Sequence, residues 1–303
     1  MRVVVIGAGG LLGTAFRRVA GELPDVEALF PGRSELDVTD PLSVERYLGA
    51  TAPDGVVNAA ALLPADLCET HPRTAYEIHA LGARWVSRAC ERLGAVSVYI
   101  STDFVFDGTS RDGYAPDSPT RPTLTYGITK RAGELETCLG ASRHLVLRTA
   151  GLFGPPPPGT GVRPCFVDRI LRKADSGEPV QVVDSVVMSP TYTVDLARMT
   201  FALLLDGAAS GVHHAVGQGA ASWYEVAATA VRLAGRNVPV TPQREQSHVA
   251  ATRPARTPLT GALPGRARAH QRPWQEALAE YLREYWPAPP RAAGSAGPRG
   301  PGE

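Results

Sequence analysis

A doubly wound α/β fold, a parallel sheet with helical crossovers followed by a smaller C-terminal lid, is predicted by three features of this chain. Short apolar runs alternate with longer stretches of helical periodicity as far as Arg148. Gly7, Gly10 and Gly13 follow the first such run and open the first helical stretch. Beyond Arg148 the alternation loosens into short, mixed pieces.

In order, Val3–Ile6 reads as a strand, Leu11–Ala20 as a helix, Ala28–Phe30 as a second strand and Pro41–Leu48 as a helix after a turn. Gly55–Asn58 is a third strand running into Ala59, Ala60 and Ala61. Arg73–Leu93 carries Ala75, Ile78, Leu81, Trp85 and Ala89 three or four apart, the stripe of one long amphipathic helix. Val96–Ile100 is a buried strand, Lys130 lies in a helix continuing towards Cys138, and Leu145–Leu147 is another strand. The pattern predicts six strands by about residue 150. The reading divides the chain into a dinucleotide-binding domain over 1–150, with parts of 185–217, and a substrate domain over 151–286. Gly154–Gly159, GPPPPG, is a loop; helices are expected at Phe166–Lys173, Val194–Leu205, Trp223–Leu233 and Trp274–Tyr285, with a strand near Val180–Val183. Residues 287–303 hold nine of the glycines and prolines and no large apolar residue, the composition of a disordered tail.

The chain has 303 residues, 44% hydrophobic and 20% charged, with a formal net charge of +1. Charge this balanced provides no field for nucleic acid or an anionic membrane, so neither is an expected partner. The first residues enter a strand without the order of segments a signal peptide requires, and no apolar run approaches a membrane span, so a cytoplasmic location is expected. Cys68, Cys90, Cys138 and Cys165 are too far apart in sequence for a CxxC pair and read as buried free thiols. The seven histidines show no metal-binding spacing. His213 and His214 would point to opposite faces of a strand, and no metal site is expected.

Three glycines after a strand let backbone approach a pyrophosphate and let helix N–H groups receive its charge. The same glycines would also serve tight strand-to-helix packing. Leu11 and Leu12, which open the helix, and Asp37 join them as candidate cofactor contacts. After the second strand, where a carboxylate would take the ribose 2′-hydroxyl, the chain reads Pro31, Gly32, Arg33, Ser34. A guanidinium there suits a 2′-phosphate and favours NADPH over NADH; the alternative is an arginine lying in solvent.

Tyr126-Gly-Ile-Thr-Lys130 is the most informative motif. With nine tyrosines and only two lysines against 29 arginines, about 0.06 YxxxK matches are expected by chance. Residues four apart share a helix face, so the ammonium sits near the phenol, favours the phenolate and is expected to lower the tyrosine pKa from about 10. A tyrosine so placed donates a proton to a developing alkoxide. Ser101, Thr102 and Asp103 leave the strand end where open α/β sheets bind ligands. Thr102 is placed to hydrogen-bond the same substrate oxygen, although a threonine at a strand end is also ordinary turn chemistry.

These segments, with NAAA at Asn58–Ala61, STDFVFDG at Ser101–Gly108, LRT at Leu147–Thr149, SPTYTVDLA at Ser189–Ala197 and a TRP motif at Thr252–Pro254, resemble the extended short-chain dehydrogenases/reductases. Within them the chain is similar to the dTDP-4-dehydrorhamnose reductase family over about residues 1–286. The resemblance implies a Rossmann-type domain with a small C-terminal domain closing over a dTDP-linked 4-keto-6-deoxy sugar, and a catalytic trio of Thr102, Tyr126 and Lys130. It implies that NADPH or NADH passes hydride to C4 while Tyr126 protonates the oxygen and Lys130 holds the nicotinamide ribose. Asn58 to Ala61 would line the cofactor groove; Thr102, Asp103, Phe104, Gly151 and Arg253 would face the substrate, with Arg253 towards the nucleotide.

Where the family usually reads STDYVF and RTSW, this chain has Phe104 and Gly151. Loss of the sugar-packing tryptophan predicts a roomier pocket. His79 replaces an asparagine that organises the active-site helix, either altering the proton path or standing as a buried hydrogen-bonded histidine. A carboxylate that family members can place after the glycine motif for an interface metal is absent at Gly13–Phe16. Phe104 leaves a dehydratase without its acid. The default reaction is therefore dTDP-4-dehydro-L-rhamnose to dTDP-L-rhamnose. Reduction of another dTDP-deoxysugar, a 4-epimerase and a non-catalytic dinucleotide-binding regulatory subunit remain alternatives, as does assembly as a homodimer.

Overall fold

The computed structural model describes residues 1–156, 164–244 and 253–287, so all but the first residue of the tail expected over 287–303 and part of the GPPPPG loop lie outside the described residues. The first elements are β1 (Arg2–Ile6), α1 (Leu11–Gly21), β2 (Glu27–Leu29), α2 (Pro41–Thr51) and β3 (Gly55–Asn58). Then α3 (Asp66–Thr70) and α4 (Pro72–Tyr76) lead through a π-helical turn, Glu77–Leu81, into α5 (Gly82–Leu93), β4 (Val96–Thr102), α6 (Thr125–Gly140) and β5 (His144–Thr149). The chain continues through β6 (Leu152–Phe153), α7 (Phe166–Asp175), β7 (Val180–Val183), β8 (Val187–Met188), β9 (Thr191–Tyr192) and α8 (Thr193–Leu205). It ends with β10 (Gly211–His214), β11 (Ala221–Ser222), α9 (Trp223–Leu233), β12 (Val240–Gln243) and α10 (Trp274–Tyr285).

The main sheet runs β10-β5-β4-β3-β1-β2, every neighbouring pair parallel. Alternate side chains of β1 supply opposite faces. Val3 and Val5 join Phe16 of α1 and Leu196 of α8 in one core, whereas Val4 and Ile6 join Val44 of α2 and Val86 of α5 in another. Burial on both faces is why the strands read as unbroken apolar runs. Strand order reverses at β1: β2 lies to one side, β3 and its successors to the other, which opens a crevice at the strands' carboxyl ends.

Two expectations are corrected. Five strands, not six, precede residue 150; the sixth, β10, comes from residues 211–214 and pairs with β5. Its edge partner was invisible to a reading in chain order because hydrogen-bonding between strands does not respect sequence distance. The stretch read as one amphipathic helix from Arg73 to Leu93 contains the π-helical turn at Glu77–Leu81. The widened turn carries His79, and the buried Tyr99 hydroxyl donates to the His79 carbonyl oxygen at 3.0 Å. A residue inserted into the helical ladder frees a carbonyl for such a partner.

The later elements form small pairs: β6 beside β9, β8 antiparallel to β11, and β12 parallel to β7. Strands of two residues are too short for a periodicity to announce them. All four cysteines are free thiols. His214 is buried and bonds the Thr260 carbonyl oxygen through Nδ1 at 2.8 Å, while His213, the preceding residue of β10, bonds the Ala209 carbonyl oxygen. Among the described residues no helix is long and apolar enough to cross a membrane.

Candidate active site

A groove of about 660 Å³ runs along the carboxyl ends of β1, β3 and β4. Its walls bring together Gly7, Gly10, Leu11, Leu12, Arg33, Asp37, Ala59, Ala60, Ala61, Tyr126 and Lys130. Residues from four separate stretches of sequence therefore share one cavity. The groove is also lined by Ser101, expected at the ligand end of its strand, by Thr149 of the LRT motif, and by Leu63, Ile78 and Leu152, which the sequence did not assign to the site. Asn58, Gly13, Thr102, Asp103, Phe104, Gly151 and Arg253 do not line it.

Gly7 leaves β1 with φ +89, and a Cβ there would stand 2.9 Å from the Ala59 carbonyl. The backbone after β1 and the backbone after β3 thus touch at the crevice, and only glycine permits it. Gly7→Ala is expected to cost about 1–3 kcal/mol and to lower affinity for a nicotinamide dinucleotide. Thermal melting and a cofactor fluorescence titration check both effects.

Arg33 extends largely into solvent and pairs with Asp37 at 3.2 Å. Burial alone would raise the Asp37 carboxyl; hydrogen bonds from Thr39 and from Arg33 outweigh it and hold the group below the ordinary carboxylate range. Asn58 accepts the Ala60 N–H through Oδ1 at 3.2 Å, while its buried Nδ2 and the buried Thr149 hydroxyl have no protein partner. A glycine-walled groove with polar atoms lacking protein partners beside it fits a nicotinamide dinucleotide.

The Tyr126 ring stands edge-on to His79 and Phe104, with centroids 5.5 and 6.0 Å away. The helix that carries it approaches the turn after β4 closely: a Cβ on Gly127 would overlap the Phe104 carbonyl oxygen. Glu69 of α3 anchors the start of α6, accepting from the Thr125 N–H and hydroxyl at 2.7 Å each. Lys130 is buried, donates to the Ile100 carbonyl oxygen at 2.5 Å and lies 4.3 Å from the centre of the Tyr99 ring.

Electrostatically the pair departs from the sequence expectation. Burial pushes the Tyr126 phenol above its ordinary range, with the Asp103 carboxylate adding to the effect and a hydrogen bond to Thr102 opposing it. Burial pushes Lys130 down to about 7, against the pull of Glu134. Desolvation is the largest effect on both groups, so Tyr126 keeps its proton and stands as a donor.

His79 is fully buried and accepts the Leu62 N–H at Nε2, 2.9 Å away, which places its hydrogen on Nδ1 facing the Thr129 hydroxyl at 2.8 Å. Burial, assisted by the neighbouring Lys130 charge, pushes it down to about 2, so it stays neutral. Of the two readings offered for His79, the hydrogen-bonded one describes its place: it clamps the segment after β3 to α6.

Thr102 donates to Asp103 at 3.1 Å and accepts the Phe104 N–H at 3.2 Å. Gly151 has φ +52, and a Cβ there would stand 2.7 Å from the Met188 sulfur, so a methionine fills the space beside it. Arg253 pairs with Asp66 of α3 at 2.8 Å. Behind the groove floor, buried Glu134 accepts from the Arg148 Nε and Nη2 at 2.8 and 2.9 Å and from the Ser101 hydroxyl at 2.6 Å. Arg148 was legible as part of LRT, but its buried partner on α6 carried no signal of its own.

The sequence profile of the RmlD substrate binding domain matches residues 1–286. A Streptomyces griseus relative named dTDP-4-dehydrorhamnose reductase is 35% identical, over 94% of this chain and 90% of its own. A Streptomyces antibioticus relative named as a probable dTDP-4,6-dihydroxy-2-methyloxan-3-one 4-ketoreductase is 36% identical, over 98% of this chain and 100% of its own. The fold superimposes on the crystal structure of the dTDP-4-dehydrorhamnose reductase of Bacillus anthracis str. Ames in complex with NADP. That match has a TM-score of 0.83 at 30% identity and covers 93% of this chain and 99% of the other.

Proposed function

This chain belongs to the RmlD substrate binding domain family, and from that premise we propose that it reduces the C4 keto group of a dTDP-activated 4-keto-6-deoxyhexose with NADPH or NADH. The default substrate is dTDP-4-dehydro-L-rhamnose. The observation that carries the reading is that Tyr126 and Lys130 line the same groove as the Gly7–Leu12 turn, so a proton donor and a cation face the place where a dinucleotide fits.

Bound NADPH or NADH supplies the hydride that adds to C4. Tyr126, held protonated by burial, gives its proton to the carbonyl oxygen, so the ketone becomes an alcohol. Lys130 places a positive charge beside the phenolate this leaves and takes the ribose hydroxyls; Thr102 orients the oxygen from the end of β4. Gly7, Gly10, Leu11 and Leu12 hold the pyrophosphate, with Gly13 behind them letting α1 pack against the Ala8 backbone; Ala59, Ala60 and Ala61 line the opposite wall beside Asn58, and Arg33 and Asp37 meet the adenosine ribose. Phe104, Gly151, Asp103 and Arg253 are assigned to the sugar-nucleotide side. Residues 1–150 with parts of 185–217 make the cofactor domain and 151–286 the substrate domain. The reading places the enzyme in the cytoplasm, with a homodimer as the assembly to test by light scattering.

A different dTDP-deoxysugar ketone is the second reading, favoured by Met188 standing where a side chain on residue 151 would lie. A purely regulatory dinucleotide-binding subunit has no need of the Tyr126 donor. The test is oxidation of NADPH and of NADH with dTDP-4-keto-6-deoxy-L-hexose and its D-series isomer, with the product identified by NMR. Turnover of the L-lyxo sugar to dTDP-L-rhamnose supports the default, turnover of another keto sugar supports the second reading, and no oxidation with either cofactor overturns both.

A pH dependence follows. Because Lys130 is pushed down to about 7, its ammonium population falls as pH rises through that value, and kcat/KM is expected to fall on the alkaline side by about tenfold per pH unit. A pH–rate profile flat from roughly 6 to 9 would contradict a catalytic cation at this position.

A further inference from the structure

Resting on the reductase reading above, we propose that Thr257 is a positioning residue of the reduction: its hydroxyl holds the Asp103 carboxylate and thereby aims the hydroxyl of Thr102. Thr257 is 1% exposed and its Oγ1 lies 2.5 Å from Asp103 Oδ2, a contact between residues 154 apart in sequence. The other carboxylate oxygen, Oδ1, accepts from Thr102 at 3.1 Å. Thr102, at the end of β4, in turn accepts the Phe104 N–H at 3.2 Å.

Counting hydrogens gives this chain of oxygens a direction. An ionised carboxylate only accepts, so both threonine hydroxyls must donate to Asp103. The Thr102 hydrogen is then directed at Asp103, and a lone pair of its oxygen takes the Phe104 N–H. Burial pushes Asp103 up to about 6 while the Thr257 and Thr102 donors oppose it. Without Thr257, the buried carboxyl loses a side-chain donor and keeps Thr102 and the backbone N–H groups of Asp103 and Phe104, so it would rotate or take up a proton more readily. A protonated Asp103 donates to Thr102 instead and reverses the hydrogen bond between them.

The backbone around Thr257 is well placed for this task. Its N–H donates to the Val187 carbonyl oxygen at 2.9 Å, the Val187 N–H donates to Ala255 at 2.8 Å, and Tyr114 donates to the Pro258 carbonyl oxygen at 2.9 Å. A donor held from three sides keeps its aim. Because Thr257 acts from behind Asp103, its loss should alter the chemical step and leave binding nearly intact.

Thr257→Val keeps the shape and removes the donor, while Thr257→Ser keeps the donor and drops a methyl. The expected result is a kcat lowered about ten- to a hundredfold in the valine variant, with KM for the sugar nucleotide and Kd for NADPH within about threefold of wild type. The serine variant should recover kcat to within about threefold of wild type. Thr257→Ala gives the same reading if the valine variant folds poorly. A wild-type kcat in the variant lacking the hydroxyl, an effect confined to KM, or a serine variant as slow as the valine one would each overturn the proposal. Wild-type turnover in the same assay reports on the reductase reading itself, so a fall confined to Thr257 variants is distinguishable from failure of that reading.

Discussion

Tyr126→Phe should lower kcat/KM by about a hundred- to ten-thousand-fold while leaving NADPH affinity within about twofold of wild type. The change removes one oxygen. The ring that packs edge-on against His79 and Phe104 remains, so the groove keeps its wall. What disappears is the proton that must reach the sugar oxygen as hydride reaches carbon. A loss of this size corresponds to about 3–5 kcal/mol of transition-state stabilisation. Steady-state kinetics beside a fluorescence titration of NADPH separate the two quantities. Unchanged turnover would remove Tyr126 from the reaction, and with it the argument against a binding-only subunit.

Glu134→Ala should destabilise the fold by about 3–5 kcal/mol, read as a lower urea midpoint and a lower Tm. Glu134 is fully buried, and Arg148, beside it, is 2% exposed. Removing the carboxylate strands that guanidinium with the Pro116 carbonyl oxygen at 3.1 Å and the face of Phe106 as its remaining contacts. An unpaired buried charge is far costlier than a pair is beneficial. The change should also reach the chemistry. Glu134 pulls the Lys130 pKa upward, so its removal should let Lys130 lose its proton at lower pH and move the alkaline limb of the rate profile with it. A variant as stable as wild type would mean that Arg148 finds another partner or water.

Much of the site was legible because backbone chemistry and helical spacing are local. Gly7 and Gly10 had to follow a strand and open a helix, and Tyr126 and Lys130 had to share a helix face. The pKa of the pair was misread. The attraction of ammonium for phenolate is a property of four residues of helix, but the desolvation that is the largest effect on both groups is set by Tyr99, Ile100 and the rest of the sheet. Arg253 was placed towards a nucleotide on motif alone; in the structure its guanidinium meets Asp66. Glu69, Glu134 and Thr257 were missed because each draws its meaning from a partner 14 to 154 residues away.

By itself the sequence determined the parallel sheet with helices on both faces, the glycine turn that opens the cofactor groove and the Tyr126–Lys130 pair, since all of these are written in periods of two, three or four residues. The tertiary structure decided the rest. It brought β10 from residues 211–214 to the edge of β5, widened the helix at His79 into a π turn, and set Thr257 against Asp103. It also decided which charges are dry enough to change their protonation. Pairing across space and exclusion of water depend on the packing of all the elements together, and no local pattern in the chain encodes either one.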